Sequence, residues 1–255
     1  MAIRICAALA AALLATLPGT ASASEIKVLV TTAMKAAMDE LVIAFERATP
    51  HKVNISFGPS GALAKRVDSG EAADLVVFAG GVDELIAQGK IASAGRTDIA
   101  RAKIGVAVRK GEPKPDITTT DAFKRTLLAA NSVAFADPAS GGASGVYLAR
   151  MLERIGIATE VNAKARLARG GPDGMVSAII ARGDADIGLQ QISEIMSVAG
   201  VELVGPLPDE LQTVTTYVAG IPVIASQPEV ALAFIKFLTT PAAAAIYRAR
   251  GLEPG

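Results

Sequence analysis

Residues 57–80 read FGPSGALAKRVDSGEAADLVVFAG, and the change of pattern inside this stretch decides the fold. The segment leading into it, residues 52–57 (KVNISF), alternates polar and apolar side chains as a half-buried strand does. Gly58-Pro59-Ser60-Gly61 interrupts the strand, residues 62–69 carry helical spacing, and residues 74–79 (DLVVFA) form an almost unbroken apolar run. A strand that is apolar at consecutive positions buries both faces, which calls for helices on either side of a parallel or mixed sheet. The unit is strand, glycine-rich turn, helix, buried strand, so the fold class is α/β.

The same unit recurs in both directions. Upstream, residues 25–30 (EIKVLV) read as a strand, and Met34, Ala37, Met38, Leu41, Val42 and Phe45 recur at helical spacing over residues 34–47. Downstream come a helix over 82–88, a strand over 103–108 (KIGVAV) and a rigid turn at residues 111–115 (GEPKP). Thr120-Asp121 caps a helix through Leu128, followed by a strand over 132–136 (SVAFA), a helix over 144–155 and a short strand over 163–167. A helix over 175–182, strands over 185–189 (ADIGL) and 201–204, and return strands over 213–219 and 221–225 follow. Two helices, residues 228–238 and 241–250, close the chain.

Composition removes several function classes. The 255 residues carry 25 Lys+Arg against 25 Asp+Glu, so no sequence-wide basic field exists to hold nucleic-acid phosphates. One Cys and one His exclude an intramolecular disulfide, an iron–sulfur cluster and a Cys-rich zinc site, so neither metal nor cofactor is expected. Any chemistry must run on hydroxyls, amides, carboxylates, Lys and Arg. Residues 1–23 have the three parts of a secretory signal peptide: Arg4, the apolar stretch 5–17, and Ala21-Ser22-Ala23 as the small-x-small cleavage site. The apolar stretch is too short to span a bilayer and Pro18-Gly19 ends it. Cys6 leaves with that peptide, and no later run is long enough for a membrane span, so a soluble periplasmic protein is expected.

The functional signal lies where strands hand over to helices, the place where open α/β sheets bind ligands. Thr31-Thr32-Ala33 follows the first strand, and Gly58-Pro59-Ser60-Gly61 the second. Residues 137–145 (DPASGGASG) are the most informative junction, because three glycines and two serines leading into a helix make a backbone cradle for an oxyanion. Without a GK[ST] ending this is not a nucleotide loop. Residues 169–173 (RGGPD) and Gln190-Gln191-Ile192-Ser193 form two further junctions. The expected donors are the hydroxyls of Thr31, Thr32, Ser60, Ser140 and Ser144, the backbone N–H groups of Gly61, Gly142 and Ala143, and Gln191. Ordinary helix capping accounts for any one of them alone.

The succession KVLVTTAMKAAMDEL, FGPSGALAKRVDSGEAADLVVFAG, ADPASGGASGVY and GDADIGLQQISEI resembles the periplasmic molybdate-binding proteins of ABC importers, over essentially the whole chain after residue 23. The resemblance implies a type II periplasmic binding protein fold: two α/β lobes, two crossovers between them, and a ligand clamped in the central cleft. Residues 24–107 and 217–255 then form lobe one and residues 108–216 lobe two. It also implies a small anionic ligand, a membrane permease as partner, and a monomer. In that family two Ser and one Tyr donate to the oxyanion; the flanking blocks place these positions on Ala33, on Ser60 or Gly61, and on Gln191. With two side-chain donors altered, the cage is incomplete for a tetrahedral ion, since each missing donor leaves lone pairs unpaired. A larger di- or tricarboxylate, neutralised by Lys35 and Arg169, fits the altered set.

Aconitate isomerases resemble the same proteins, and they are the enzymatic alternative. Exchanging cis- and trans-aconitate by an allylic proton shift needs a base beside a carbon acidified by carboxylates. The candidate bases at the junctions are Lys35, Tyr147, Asp173 and Glu194, with Tyr147 also able to donate to a carboxylate. His51, at a turn after Pro50 and away from the junctions, reads as structural, and Asp74 and Asp137 read as caps or packing partners.

Overall fold

The computed structural model describes residues 23–170 and 174–255. Residues 1–22 of the expected leader and Asp173 lie outside them.

The chain opens with β1 (Glu25–Thr31), α1 (Lys35–Ala48), β2 (Lys52–Gly58), α2 (Ser60–Asp68), β3 (Leu75–Phe78) and α3 (Val82–Ala87). Next come β4 (Ile91–Arg109), α4 (Thr120–Ala129), β5 (Val133–Ala136), α5 (Ala143–Arg154), α6 (Ala158–Ala163) and β6 (Ala165–Ala168). Then follow α7 (Val176–Arg182), β7 (Ile187–Gln191), α8 (Ile192–Ile195), β8 (Val201–Pro206), β9 (Val214–Pro222), α9 (Pro228–Leu238), α10 (Pro241–Ala249) and β10 (Glu253–Pro254).

These strands make two sheets joined through β4. The first runs β2-β1-β3-β9-β4, with β1 parallel to β2 and β3, and β9 antiparallel to both β3 and β4. The second has β4 antiparallel to β7 and β8, and β5 parallel to β6 and β7. β4 serves both: residues 91–103 pair with β9, and residues 104–109 pair with β7 and β8. It changes sheet between Lys103 and Ile104, ahead of the lobe boundary drawn after residue 107 from the sequence.

Only the second half of β4 is legible as a strand in the sequence. The first half carries Gly95, Arg96 and Asp98 and has no apolar run; it is extended because β9 lies beside it. For the same reason residues 214–222 form one strand where two were expected. Gln190 and Gln191, expected at the junction just after the strand, instead end β7 and are 4% and 2% exposed. Residues 158–163, given no helical reading, form α6.

Each sheet carries two hydrophobic clusters, and the larger of each pair makes its main core. In the first, Ala37, Met38, Leu41 and Phe45 of α1 are buried, as their spacing predicts. Phe45 packs 4.8 Å from Phe234 and 5.5 Å from Phe237 between ring centroids, joining α1 to α9. Asp74, buried ahead of β3, ties the C-terminal segment to this lobe. Its Oδ2 accepts from Lys27 N at 2.8 Å, and its Oδ1 accepts from Ser226 N and Gln227 N at 2.8 and 2.9 Å. Burial pushes its pKa up, but these donors outweigh it and hold the carboxyl below its ordinary value. The second core gathers Phe123, Phe135, Leu148 and Leu152 around β5 and α5. Among the described residues no single helix is long and apolar enough to cross a membrane.

Candidate functional site

All five junctions singled out in the sequence meet at one cavity. Thr31, Thr32 and Ala33 lead from β1 toward α1, Pro59 and Ser60 begin α2, and Gly142, Ala143 and Ser144 begin α5. Gly174, Met175 and Val176 begin α7, and Gln190, Gln191 and Glu194 span the start of α8. The cavity encloses about 80 Å³. The first turn of a helix has N–H groups without intrahelical partners and a partial positive charge, so convergent starts attract an anion. Among the described lining residues there is no Lys, Arg or His, and Glu194 is the one ionisable carboxyl.

The hydroxyls differ in what they can still offer. Ser60 Oγ donates to Thr31 Oγ1 at 3.2 Å and accepts from Ala79 N at 3.2 Å, which spends the Ser60 proton and leaves that of Thr31 for a ligand. Ser140 lines the cavity but donates to Asp137 O at 2.7 Å. Ser144, 6% exposed, lines it from the start of α5. That start sits close to β5 because residue 145 is glycine: a Cβ there would lie 2.4 Å from Ala136 O. Gly61, expected as a backbone donor, is not in the lining; its N–H donates to Gly141 O at 3.2 Å, a contact between α2 and the loop after β5.

Two buried polar atoms in the lining have no partner within the protein. Gln191 Nε2 sits 3.0 Å from Thr215 Oγ1, while Gln191 Oε1 is unpartnered. Turning this amide over keeps the Thr215 contact, since a hydroxyl donates as well as accepts, and presents an NH₂ to the cavity. Tyr217, 1% exposed on β9, also has an unpartnered hydroxyl. Burial and then the charge of Glu194 push its pKa far up, so it stays a neutral donor. The junction rule missed Tyr217 because it sits inside a strand; its one signal was a single aromatic hydroxyl in a return segment of Thr, Val, Ala and Ile.

Glu194 lines both this cavity and the chamber beside it. Burial pushes its pKa from 4.5 to about 7, opposed by a hydrogen bond with the Gln190 side chain. Ser177 fixes that amide by donating from N at 3.0 Å and from Oγ at 2.7 Å to Gln190 Oε1, so its NH₂ end faces Glu194. A carboxyl that is half protonated near neutrality can both take and return a proton.

The other candidates lie elsewhere. Tyr147 is removed from the site: its hydroxyl donates to Leu211 O at 2.8 Å and its ring packs on the second core. Lys35 and Arg169 lie outside this cavity, in a second chamber of about 580 Å³ that shares Thr32, Ala33, Pro59, Gly170, Met175 and Glu194 with it. Lys35 is paired with Asp39 at 2.8 Å, and Arg169 with Asp137 at 3.2 Å. His51 and Asp74 are remote from both chambers' linings. Among the described residues no group of three or more His, Cys, Asp or Glu side chains is placed to hold a metal ion.

The sequence and the fold have known counterparts. A model of the bacterial extracellular solute-binding protein family matches residues 26–253. An aconitate isomerase from a Pseudomonas species is 38% identical over 256 residues, covering 97% of this chain and 95% of that protein. The molybdate-binding protein ModA of Escherichia coli K12 is 26% identical, covering 94% of each. The Azotobacter vinelandii periplasmic molybdate-binding protein superposes with a TM-score of 0.76 at 22% identity, over 90% of this chain and 99% of that one. The shared fold is that of the type II periplasmic binding proteins.

Proposed function

The chain belongs to the bacterial extracellular solute-binding protein family, and from that premise we propose that it is an isomerase exchanging cis- and trans-aconitate. The observation that carries this reading is Glu194, a carboxyl with a pKa of about 7 lining a cavity otherwise built from helix starts, hydroxyls and amides. A pure anion receptor gains nothing from a titratable carboxyl, whose charge repels the ligand. A base poised near neutrality is what abstraction of a proton next to a carboxylate requires. The 38% identity to an aconitate isomerase over nearly the full chain supports the same assignment.

In this mechanism the Glu194 carboxylate takes a proton from the methylene carbon of aconitate, and the electron pair left behind delocalises over the allyl unit and its carboxylates. The N–H groups of the turn ahead of α1, of Ser60 and of the start of α5, with the Thr31 and Tyr217 hydroxyls, bind carboxylate oxygens and stabilise that charge. Glu194 then returns the proton to the far allylic carbon. The double bond moves over by one carbon, no proton is gained or lost, and the conformation of the new alkene arm sets cis or trans. The protein works outside the cytoplasmic membrane after removal of residues 1–23, its two lobes closing over the ligand.

A second reading, capture of a small anion for an ABC permease, is favoured by the kinship with molybdate-binding proteins. A proton NMR time course with trans-aconitate in large excess over the protein, residues 24–255, separates them. Growth of the cis vinyl signal is expected; tight binding with an unchanging spectrum makes the protein a receptor.

A further inference from the structure

We propose that the outer chamber is a second carboxylate subsite, in which Lys35 and Arg169 take the far terminal carboxylate of an elongated polycarboxylate and so set the substrate class. The inference rests on the anion-binding reading of the inner cavity and extends it. The inner cavity encloses about 80 Å³ and the outer about 580 Å³, and the two share a wall. Glu194 lies on that wall. A ligand whose reacting carbons meet Glu194 therefore has one end among the helix starts and the other in the outer chamber.

The charge distribution separates the ends. The described inner lining has no cationic side chain, so it serves one carboxylate through N–H groups and hydroxyls. Both cations are outside, in a lining that also carries Asp39 and the shared Glu194. Lys35 Nζ sits 4.8 Å above the Phe57 ring, and Phe57 and Lys35 line the outer chamber together. Arg169 lines the same chamber with Gly170 and Met175. Lys35 is held in a solvent-exposed ion pair with Asp39, and Arg169, itself exposed, makes a single 3.2 Å contact with the largely buried Asp137, so each cation can turn to an incoming carboxylate. A compact tetrahedral anion fills only the inner cavity and leaves both cations unused.

The test is a comparison of two unreactive ligands in the wild type and in the Lys35→Met/Arg169→Met double variant. Tricarballylate is the saturated counterpart of aconitate; methylsuccinate is the same skeleton without one terminal carboxyl. Calorimetry should show the wild type preferring tricarballylate at least tenfold, and the double variant losing that preference while still binding methylsuccinate. Thermal unfolding checks that the exposed substitutions leave the fold intact. A preference retained in the double variant, or absent in the wild type, overturns the subsite. Aconitate turnover followed by NMR reports separately on the isomerase reading. Turnover with an unchanged preference sinks the subsite alone, whereas a lost preference without turnover keeps the subsite and sinks the isomerase.

Discussion

Glu194 links activity and stability through one ionisation. As the base of the proposed isomerisation it must be deprotonated, so kcat/KM for aconitate should rise with pH through about 7 and level off above it. Glu194→Gln should lower kcat by about 10²–10⁴-fold while tricarballylate still binds, and steady-state NMR kinetics with calorimetry check both. The raised pKa has the opposite effect on folding. A carboxyl with a higher pKa in the folded than in the unfolded state favours folding fully below the unfolded value of 4.5, and that contribution is lost as pH rises through about 7. Ligand-free Glu194→Gln should therefore be more stable than the wild type at pH 8, by about 3 kcal/mol at most, and equal to it below pH about 4.5. Urea denaturation at the two pH values measures this. Tyr217→Phe removes an unpartnered hydroxyl from an apolar core position, so stability should hold or improve while ligand affinity falls about tenfold.

Asp74 is the point where three elements depend on a single side chain. It accepts backbone N–H groups from β1 and from the turn that precedes α9, so Asp74→Ala leaves buried donors unpaired at both places. A loss on the order of 3 kcal/mol is expected in urea denaturation. Its depressed pKa adds a stability contribution present above the unfolded value of 3.8 and lost as pH falls through the folded value, so the variant and wild type should converge in acid. The sequence reading of Asp74 as a cap or packing partner required only its place at a strand start, and the structure agrees. Most strands and helices were equally legible, because burial of both faces or one face leaves a periodicity in the residues themselves. The first half of β4 was not, since its extended form comes from β9, whose partner residues lie more than a hundred positions away.

Closure belongs to the whole molecule. Gly61 N donates to Gly141 O at 3.2 Å, and Ser193 Oγ donates to Ala33 O at 2.8 Å, both joining elements of the two sheets across the cavity. A Cβ on Gly61 would lie 3.0 Å from Gly141 O, so Gly61→Val should hold these segments apart. Affinity should fall roughly tenfold, as the closed state becomes a minor one, with a larger radius of gyration by small-angle scattering in the presence of tricarballylate and no change in the far-ultraviolet circular dichroism.

The residues alone determined the α/β class, the order of most elements and the junctions that line the site, because hydrophobic period, caps and glycine-rich turns are local properties of a chain. They also named Glu194 among four candidate bases, but nothing in their order ranked it. The proposed choice of Glu194 rests on tertiary structure: burial raises its pKa, while a carbonyl of a distant turn takes the Tyr147 hydroxyl and keeps it from the cavity. Tyr217 reaches the site from β9 and Lys35 and Arg169 are set outside the inner cavity. Desolvation, partner occupancy and the side of a wall on which a charge lies are relations between segments far apart in sequence, and they exist only once the two sheets have packed.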